Sequence, residues 1–203
     1  MNFSKHSLLV LVVLACANAG FSQNSSLNVG FSFLGIKDTN PYGGGLHMGY
    51  EYKIPKVDFF ALEARVGAGF LLGDGLYQTN PIREWDYKAN YLMVGVIPRF
   101  YYCVAEELYL FLDPEIGLAR ISGSTYFQEQ NRWDKTKTFN YQYYGLKVGV
   151  KVPISEKLNL SLSVGYMSMD ITDLMNSNLS TISYRFKEQT INFGTSFTFH
   201  VVL

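Results

Sequence analysis

The chain has 203 residues, and its 17 Lys and Arg balance 17 Asp and Glu to a formal charge of zero, so overall charge draws it to no nucleic acid or other polyanion. Aromatic residues make up 16% of it, a high share for a soluble domain. Past the N-terminal leader no apolar run approaches the ~20 residues of a membrane-spanning helix, which excludes a helical membrane protein.

The leader reads as a secretory signal: Lys5 in a short basic start, an apolar run from Leu8 to Ala15, and small residues through Gly20. Cleavage is expected after Ser22, which makes residues 1–22 the signal peptide and 23–203 one mature domain. An exit after Ala19 also fits, and Val13-Leu14-Ala15-Cys16 approximates a lipoprotein box in which Leu14 fits poorly. Only Cys103 then remains, so no intramolecular disulfide can form, and a buried or interfacial thiol is expected.

Eight strand-like segments follow, each with one apolar face, because side chains alternate along a strand. The first sets Leu27, Val29, Phe31 and Phe33 against Asn28, Gly30 and Ser32. After a turn at Asp38–Gly44, the second sets Leu46, Met48, Tyr50 and Tyr52 against His47, Gly49, Glu51 and Lys53. A short reversal at Ile54–Asp58 leads to the third, with Leu62, Ala64, Val66, Ala68 and Phe70 opposed to Glu63, Arg65, Gly67 and Gly69. A longer loop is predicted from Leu72 to Asn90. The fourth strand, Tyr91–Tyr101, is apolar on both faces; the chosen register turns Leu92, Val94, Val96, Pro98 and Phe100 outward and Arg99 inward, with Pro98 near the rim or at a bulge. A short turn at Cys103–Glu107 precedes the fifth, where Leu108, Leu110, Leu112, Pro114, Ile116 and Leu118 alternate with Tyr109, Phe111, Asp113, Glu115 and Gly117. The longest connection is predicted from Arg120 to Tyr141. The sixth sets Tyr144, Leu146, Val148, Val150 and Val152 against Gly145, Lys147, Gly149 and Lys151, and a short turn at Pro153–Lys157 follows. The seventh alternates Leu158, Leu160, Leu162, Val164 and Tyr166 with Asn159, Ser161, Ser163 and Gly165. After a loop at Met167–Glu188, the eighth sets Ile191, Phe193, Thr195, Phe197 and Phe199 against Asn192, Gly194, Ser196 and Thr198.

Short and long connections alternate, the pattern of a transmembrane β-barrel with short periplasmic turns and longer outer loops. Tyr50, Tyr52, Phe59, Phe100 and Tyr101 are expected in one aromatic girdle, and Trp85, Tyr87, Tyr91 and Tyr144 in the other. The alternation by itself also fits a soluble barrel with its faces inverted, in which Glu63, Lys147 and Lys151 would meet water.

These strands, ending in Phe197-Thr-Phe199, resemble the small eight-stranded outer-membrane barrels of the OmpA/OmpX type, in the form common in Bacteroidota, over Ser26–Leu203. The resemblance implies an all-β, eight-stranded antiparallel up-and-down barrel in the outer membrane, with membrane lipid and the barrel-assembly machinery as partners. That machinery reads a terminal aromatic strand; here His200-Val-Val-Leu203 follows it, a departure from the pattern. Some barrels of this size also resemble the PorT family of secretion accessories.

The inward face carries Glu63, Arg65, Arg99, Asp113, Glu115, Lys147 and Lys151, besides Glu51 and Lys53. Neighbouring strands bring Glu63 toward Arg99 and Asp113 toward Lys147, and a lumen of this width is expected to fill with such pairs, not to conduct. The inward glycines are expected to widen it locally. His47 and His200 are read as lying at opposite ends, so no catalytic residues are assigned, and no His or Cys spacing suits a metal or other cofactor. Arg83 and Trp85 in the second outer loop, and Arg132 and Trp133 in the third, are the candidate contacts for a surface protein or glycan, with interfacial anchoring the alternative for both Trp residues. The sequence thus predicts a non-enzymatic structural or surface-interaction protein of the cell envelope, with a small-lumen binding or transport barrel as the other reading.

Overall fold

The computed structural model describes residues 24–36, 42–77, 83–105, 108–127, 131–135, 137–176 and 190–203; the signal-peptide expectation lies outside them. In chain order the strands are β1 (Ser25–Ile36), β2 (Tyr42–Lys53), β3 (Phe60–Tyr77), β4 (Arg83–Ala105), β5 (Leu108–Phe127), β6 (Arg132–Lys135), β7 (Phe139–Ser155), β8 (Leu158–Asp170) and β9 (Thr190–Val202). One short helix, α1 (Thr172–Asn176), follows β8; Asp170 Oδ1 starts it by accepting from the Thr172 amide at 2.9 Å. Every paired strand is antiparallel, β4 pairs β5, and β9 pairs β1, so eight strands close into a ring. The short β6 stands outside the ring against the upper end of β5. Closure leaves the ring no unpaired edge, as hydrocarbon surroundings require.

The outward face is apolar: Phe31 is 51% exposed, Leu46 58%, Val148 54% and Leu162 54%. Glu63, Lys147 and Lys151 are buried inside, which rules out the inverted soluble barrel. On β3 the outward apolar positions run from Leu62 to Leu72; ten steps of ~3.3 Å at a tilt near 40° give a belt of roughly 25 Å, the height such barrels present to lipid. The ambiguous fourth segment takes the expected register, with Leu92, Val94, Val96 and Phe100 exposed and Arg99 buried.

Other expectations need correction. Pro98 is neither at the rim nor at a bulge: the β4–β5 ladder stops after Val96↔Ile116 and resumes in the same register at Phe100↔Leu112. That register sets Pro98 opposite Pro114, two residues that have no N–H to donate. Arg99 and Asp113 share the interrupted stretch, and their side chains bridge it. Much of the predicted loops is strand, since β3 runs to Tyr77, β4 starts at Arg83 and β5 runs to Phe127. Cys103 lies in β4 across from Tyr109, exposed, and not in a turn. Tyr91 and Tyr101 belong to neither girdle; both are buried inside. Ile191 also points inward, because β9 carries an extra residue where Gly35↔Phe193 gives way to Ile36↔Ile191.

Several inward glycines seat rings and do not widen the lumen, whereas Gly67 lines a small cavity as expected. A side chain at Gly117 would meet the Tyr143 ring and the Val94 carbonyl, and one at Gly149 the Phe111 ring. The interior therefore has two storeys. Polar and charged groups fill the membrane-level half, and an apolar core fills the half toward the long loops, where Leu71, Ala89, Tyr91, Ile121, Met167 and Ile171 pack together.

Candidate functional site

Arg99 is the centre of the polar storey. Its Nε and Nη2 donate to the two Asp113 carboxylate oxygens at 2.6 Å each, its Nη1 donates to Glu51 Oε2 at 2.5 Å, and Nη2 lies 3.2 Å from Glu63 Oε2. A planar guanidinium is the side chain suited to such a fork, since its N–H groups point in fixed directions. Glu63 takes Arg65 Nε at 2.6 Å and Asn28 Nδ2 at 2.9 Å. Glu51 takes Tyr101 Oη at 2.9 Å and Lys151 Nζ at 3.2 Å, and Lys147 Nζ reaches Glu115 at 2.8 Å.

Five of the seven lumen residues singled out from sequence, Glu63, Arg65, Arg99, Asp113 and Lys151, are thus joined in one network with Glu51 and Tyr101, and Glu115 and Lys147 form a separate buried pair. The Glu63–Arg99 pairing is as expected; the Asp113–Lys147 pairing is not. Asp113 and Lys147 face each other in the β5–β7 register, but Asp113 is taken by Arg99 and Lys147 leans to Glu115. Among the described residues the buried charges number four acids (Glu51, Glu63, Asp113, Glu115) and four bases (Arg65, Arg99, Lys147, Lys151). The balance lets every carboxylate find a cation without water, the condition for holding charge in a low-dielectric interior.

The network divides the lumen. Beside Arg65, Glu115 and Lys147 lies a cavity of about 30 Å³, and beside Glu51 and Lys151, near the chain ends, one of about 40 Å³. Each has room for a water or two and no larger solute. Toward the long loops the lumen is closed again, because Ile171 and Leu174 are fully buried against the apolar storey.

The histidines are not at opposite ends. His47 Nε2 lies 2.9 Å from Thr198 Oγ1, two residues before His200, because both strands bring these positions to the same level. Ser161 Oγ lies 2.7 Å from His200 Nε2, with Glu51 Oε2 3.8 Å from His200 Nδ1. The order is that of a nucleophile, base and acid, but the chemistry is missing. Glu51 is held by Arg99 and Lys151, His200 Nδ1 has no hydrogen bond, and Ser161 is buried where no substrate fits. Among the described residues no group of three His, Cys, Asp or Glu side chains is arranged for a metal ion.

The outer candidates lie above the belt, on a sheet that β3, β4, β5 and β6 raise past the ring. In its backbone register, Trp85 of β4 and Arg132 of β6 flank Phe127 of β5 from either side, and Arg83 pairs with Tyr77. Trp133 is 43% exposed; its ring packs on Tyr126 at 5.4 Å, and Lys88 Nζ sits over it at 3.8 Å. Sequence reasoning missed Lys88 and Tyr126, although both continue the alternation of their strands.

Residues 7–199 match the family model described as outer membrane protein beta-barrel domain. Among solved structures, the outer membrane protein OprG from Pseudomonas aeruginosa is 10% identical, with 87% of this chain and 94% of that one covered, at a TM-score of 0.57. Neisserial surface protein A (NspA) is 12% identical over 91% and 99%, at 0.49. The Yersinia pestis attachment invasion locus protein Ail, solved with the heparin analogue sucrose octasulfate, is 14% identical over 87% and 96%, at 0.44. At these identities the likeness is one of fold. No protein of curated function matches the sequence.

Proposed function

The chain belongs to the outer membrane protein β-barrel domain family, and from that premise we propose that it is a non-enzymatic surface protein: a closed scaffold whose β3–β6 extension is the contact surface for a surface protein or glycan. One observation carries the reading. The lumen is closed by the charged network and again by the apolar storey, whereas the longest strands, β4 with 23 residues and β5 with 20, run past the belt on the long-loop side. Material invested beyond the membrane and none in a passage favours display over transport. Trp133 and Tyr126 supply an aromatic face of the kind that anchors partners, and Arg83, Trp85 and Arg132 share its sheet. A transport barrel would need a path past Arg99, and the cavities on either side hold little more than water.

The test is a photo-crosslinker installed at Lys135 in intact cells, with and without deletion of residues 132–134, beside planar-bilayer recordings of the purified protein. The expected result is an adduct with a surface component that the deletion abolishes, and no discrete channel steps. An adduct unaffected by the deletion, or stepwise conductance, would overturn the reading.

A further inference from the structure

On three neighbouring strands the outward face stops being apolar within about two rungs. The rung Val96–Ile116–Tyr144 is exposed and apolar; in the next, Val94–Leu118–Gln142, β7 turns polar; in Leu92–Arg120–Asn140 β5 does; and above it stand Asn90 with Ser122 and Lys88 with Ser124. This line is the water edge of the lipid belt. On the same outward face sit three exposed cations: Arg120 on the line, Lys88 two rungs above it on β4, and Lys135 on β6. Lys88 and Lys135 both pair with Ser124, so they stand two strand spacings apart, ~10 Å, and Arg120 lies four residues down β5, ~13 Å away.

Among the described residues no carboxylate is paired with Arg120, Lys88 or Lys135; the contact made by Lys88 is with the Trp133 ring. Asp134 alternates to the other face of β6 beside Thr125, and Asp86 lies one rung above Lys88 in register. The other edge of the belt differs. Among the described residues the exposed charges at the short turns are Lys53, whose ammonium lies over the Tyr101 and Tyr109 rings, Lys56 with Asp58, and Glu156 with Lys157, the last two sets cancelling. The cluster of three exposed cations sits at the other edge, on the long-loop side that faces the outer leaflet.

We infer that Lys88, Arg120 and Lys135 form a binding site for the phosphorylated sugar headgroup of an outer-leaflet glycolipid. The acyl chains of such a lipid lie along Val94, Val96, Ile116 and Leu118. Its headgroup then rises to the level of the cations, and their ~10–13 Å separation suits a disaccharide phosphorylated at both ends. Asn90 and Ser122 stand between the cations to meet sugar hydroxyls, and the Trp133 ring fixes the Lys88 ammonium. A soluble anion would gain the charge contacts alone, whereas a lipid gains the belt as well, so the occupant is the lipid. The site shares β6 with the partner surface proposed above, Lys135 and the Trp133 ring included; lipid retention by the purified protein and adduct formation in cells are separate readouts, so either reading can fail without the other.

The experiment is native mass spectrometry of the folded, full-length protein offered bisphosphorylated lipid A, its dephosphorylated form, or phosphatidylglycerol, with unboiled gel mobility as the fold check. Each basic residue near a membrane surface contributes about fivefold, so the K88Q/R120Q/K135Q protein should lose roughly a hundredfold in lipid A retention. The K56Q/K157Q protein, changed at the opposite edge, should retain lipid A as the unaltered chain does. Equal retention by the triple variant, equal loss in the control, no preference over phosphatidylglycerol, or displacement by millimolar inorganic phosphate would each overturn the proposal.

Discussion

Replacing Arg99 with Met keeps the unbranched stem of the side chain and removes the cation that three carboxylates share. Glu51 retains Lys151 and Tyr101, and Glu63 retains Arg65 and Asn28, but Asp113 has both of its side-chain bonds with Arg99. The buried balance falls from four against four to three bases against four acids. Removing one partner of a buried pair costs ~3–5 kcal/mol, most of it from the charge left behind. Asp113 is buried, so solvent screening does not reduce the figure. The loss falls where Pro98 and Pro114 already interrupt the β4–β5 ladder, so the bidentate pair is also what ties the two strands together there. Urea unfolding in lipid vesicles, followed by the loss of the compact unboiled gel band, reads the effect; at an m-value near 2 kcal/mol per M, the midpoint should drop by about 1.5–2.5 M. The R99M/D113N double variant restores the charge balance and should recover about half of that drop. A single variant within 0.5 M of the unaltered protein, or a double variant worse than the single one, would show that water reaches the network and would refute the argument.

Other outcomes follow from the same geometry. Gly117→Ala drives a methyl group toward the Tyr143 ring and the Val94 carbonyl, and should cost ~1–3 kcal/mol in the same assay. Val148→Lys puts a charge on the outward face at the middle of the β7 apolar run; it should cost ~2–4 kcal/mol in vesicles, and a cost near zero would deny lipid contact there. Leu174→Ala empties a fully buried site under α1 and should loosen the apolar storey by ~2–5 kcal/mol. Amide exchange should then quicken at residues 172–176 and 139–141 while the rungs around Arg99 stay protected.

The belt was legible because alternation against lipid is one-signed: apolar out, polar in, strand after strand. It fixed the outward face of each strand within the belt, including the choice that put Arg99 inside, and failed at Ile191, beyond the extra residue in β9. Above the belt the sign reverses, since water is outside and the cap inside. Lys88 and Asn90 then point outward while Ala89 and Tyr91 point inward, so a reader following outward apolar residues sees the strand end at Leu92 and places a loop where β4 continues. The interior aromatics were misplaced for a related reason, as a tyrosine near a strand end fits a girdle until its parity is checked. The partner of Arg99 was within reach of sequence. Its hairpin register sets it opposite Asp113, and only the β5–β7 comparison suggested Lys147 instead. The cap was not legible, because Met167, Met169, Ile171 and Leu174 cross from strand spacing to helix spacing within one short stretch.

The two storeys share a physical logic. A strand in a bilayer meets apolar surroundings outside, so an equally apolar interior would leave nothing to forbid a one-residue slip that exchanges its faces. Buried charges forbid it. A slip of β3 would turn Glu63 and Arg65 into lipid, and a slip of β7 would do the same with Lys147 and Lys151, at ~2–4 kcal/mol for each basic residue near the midplane. Above the belt, water on the outer face already distinguishes the two sides, and there the interior is apolar. The charged network thus stands only at the depth where register needs it. Its replacement by a neutral set of equal volume should leave the equilibrium stability of the correctly folded protein nearly unchanged while lowering the fraction that reaches the compact state on refolding. A neutral lumen that refolds as completely as the charged one would show that register is set elsewhere, by the turns or by the seated aromatic rings.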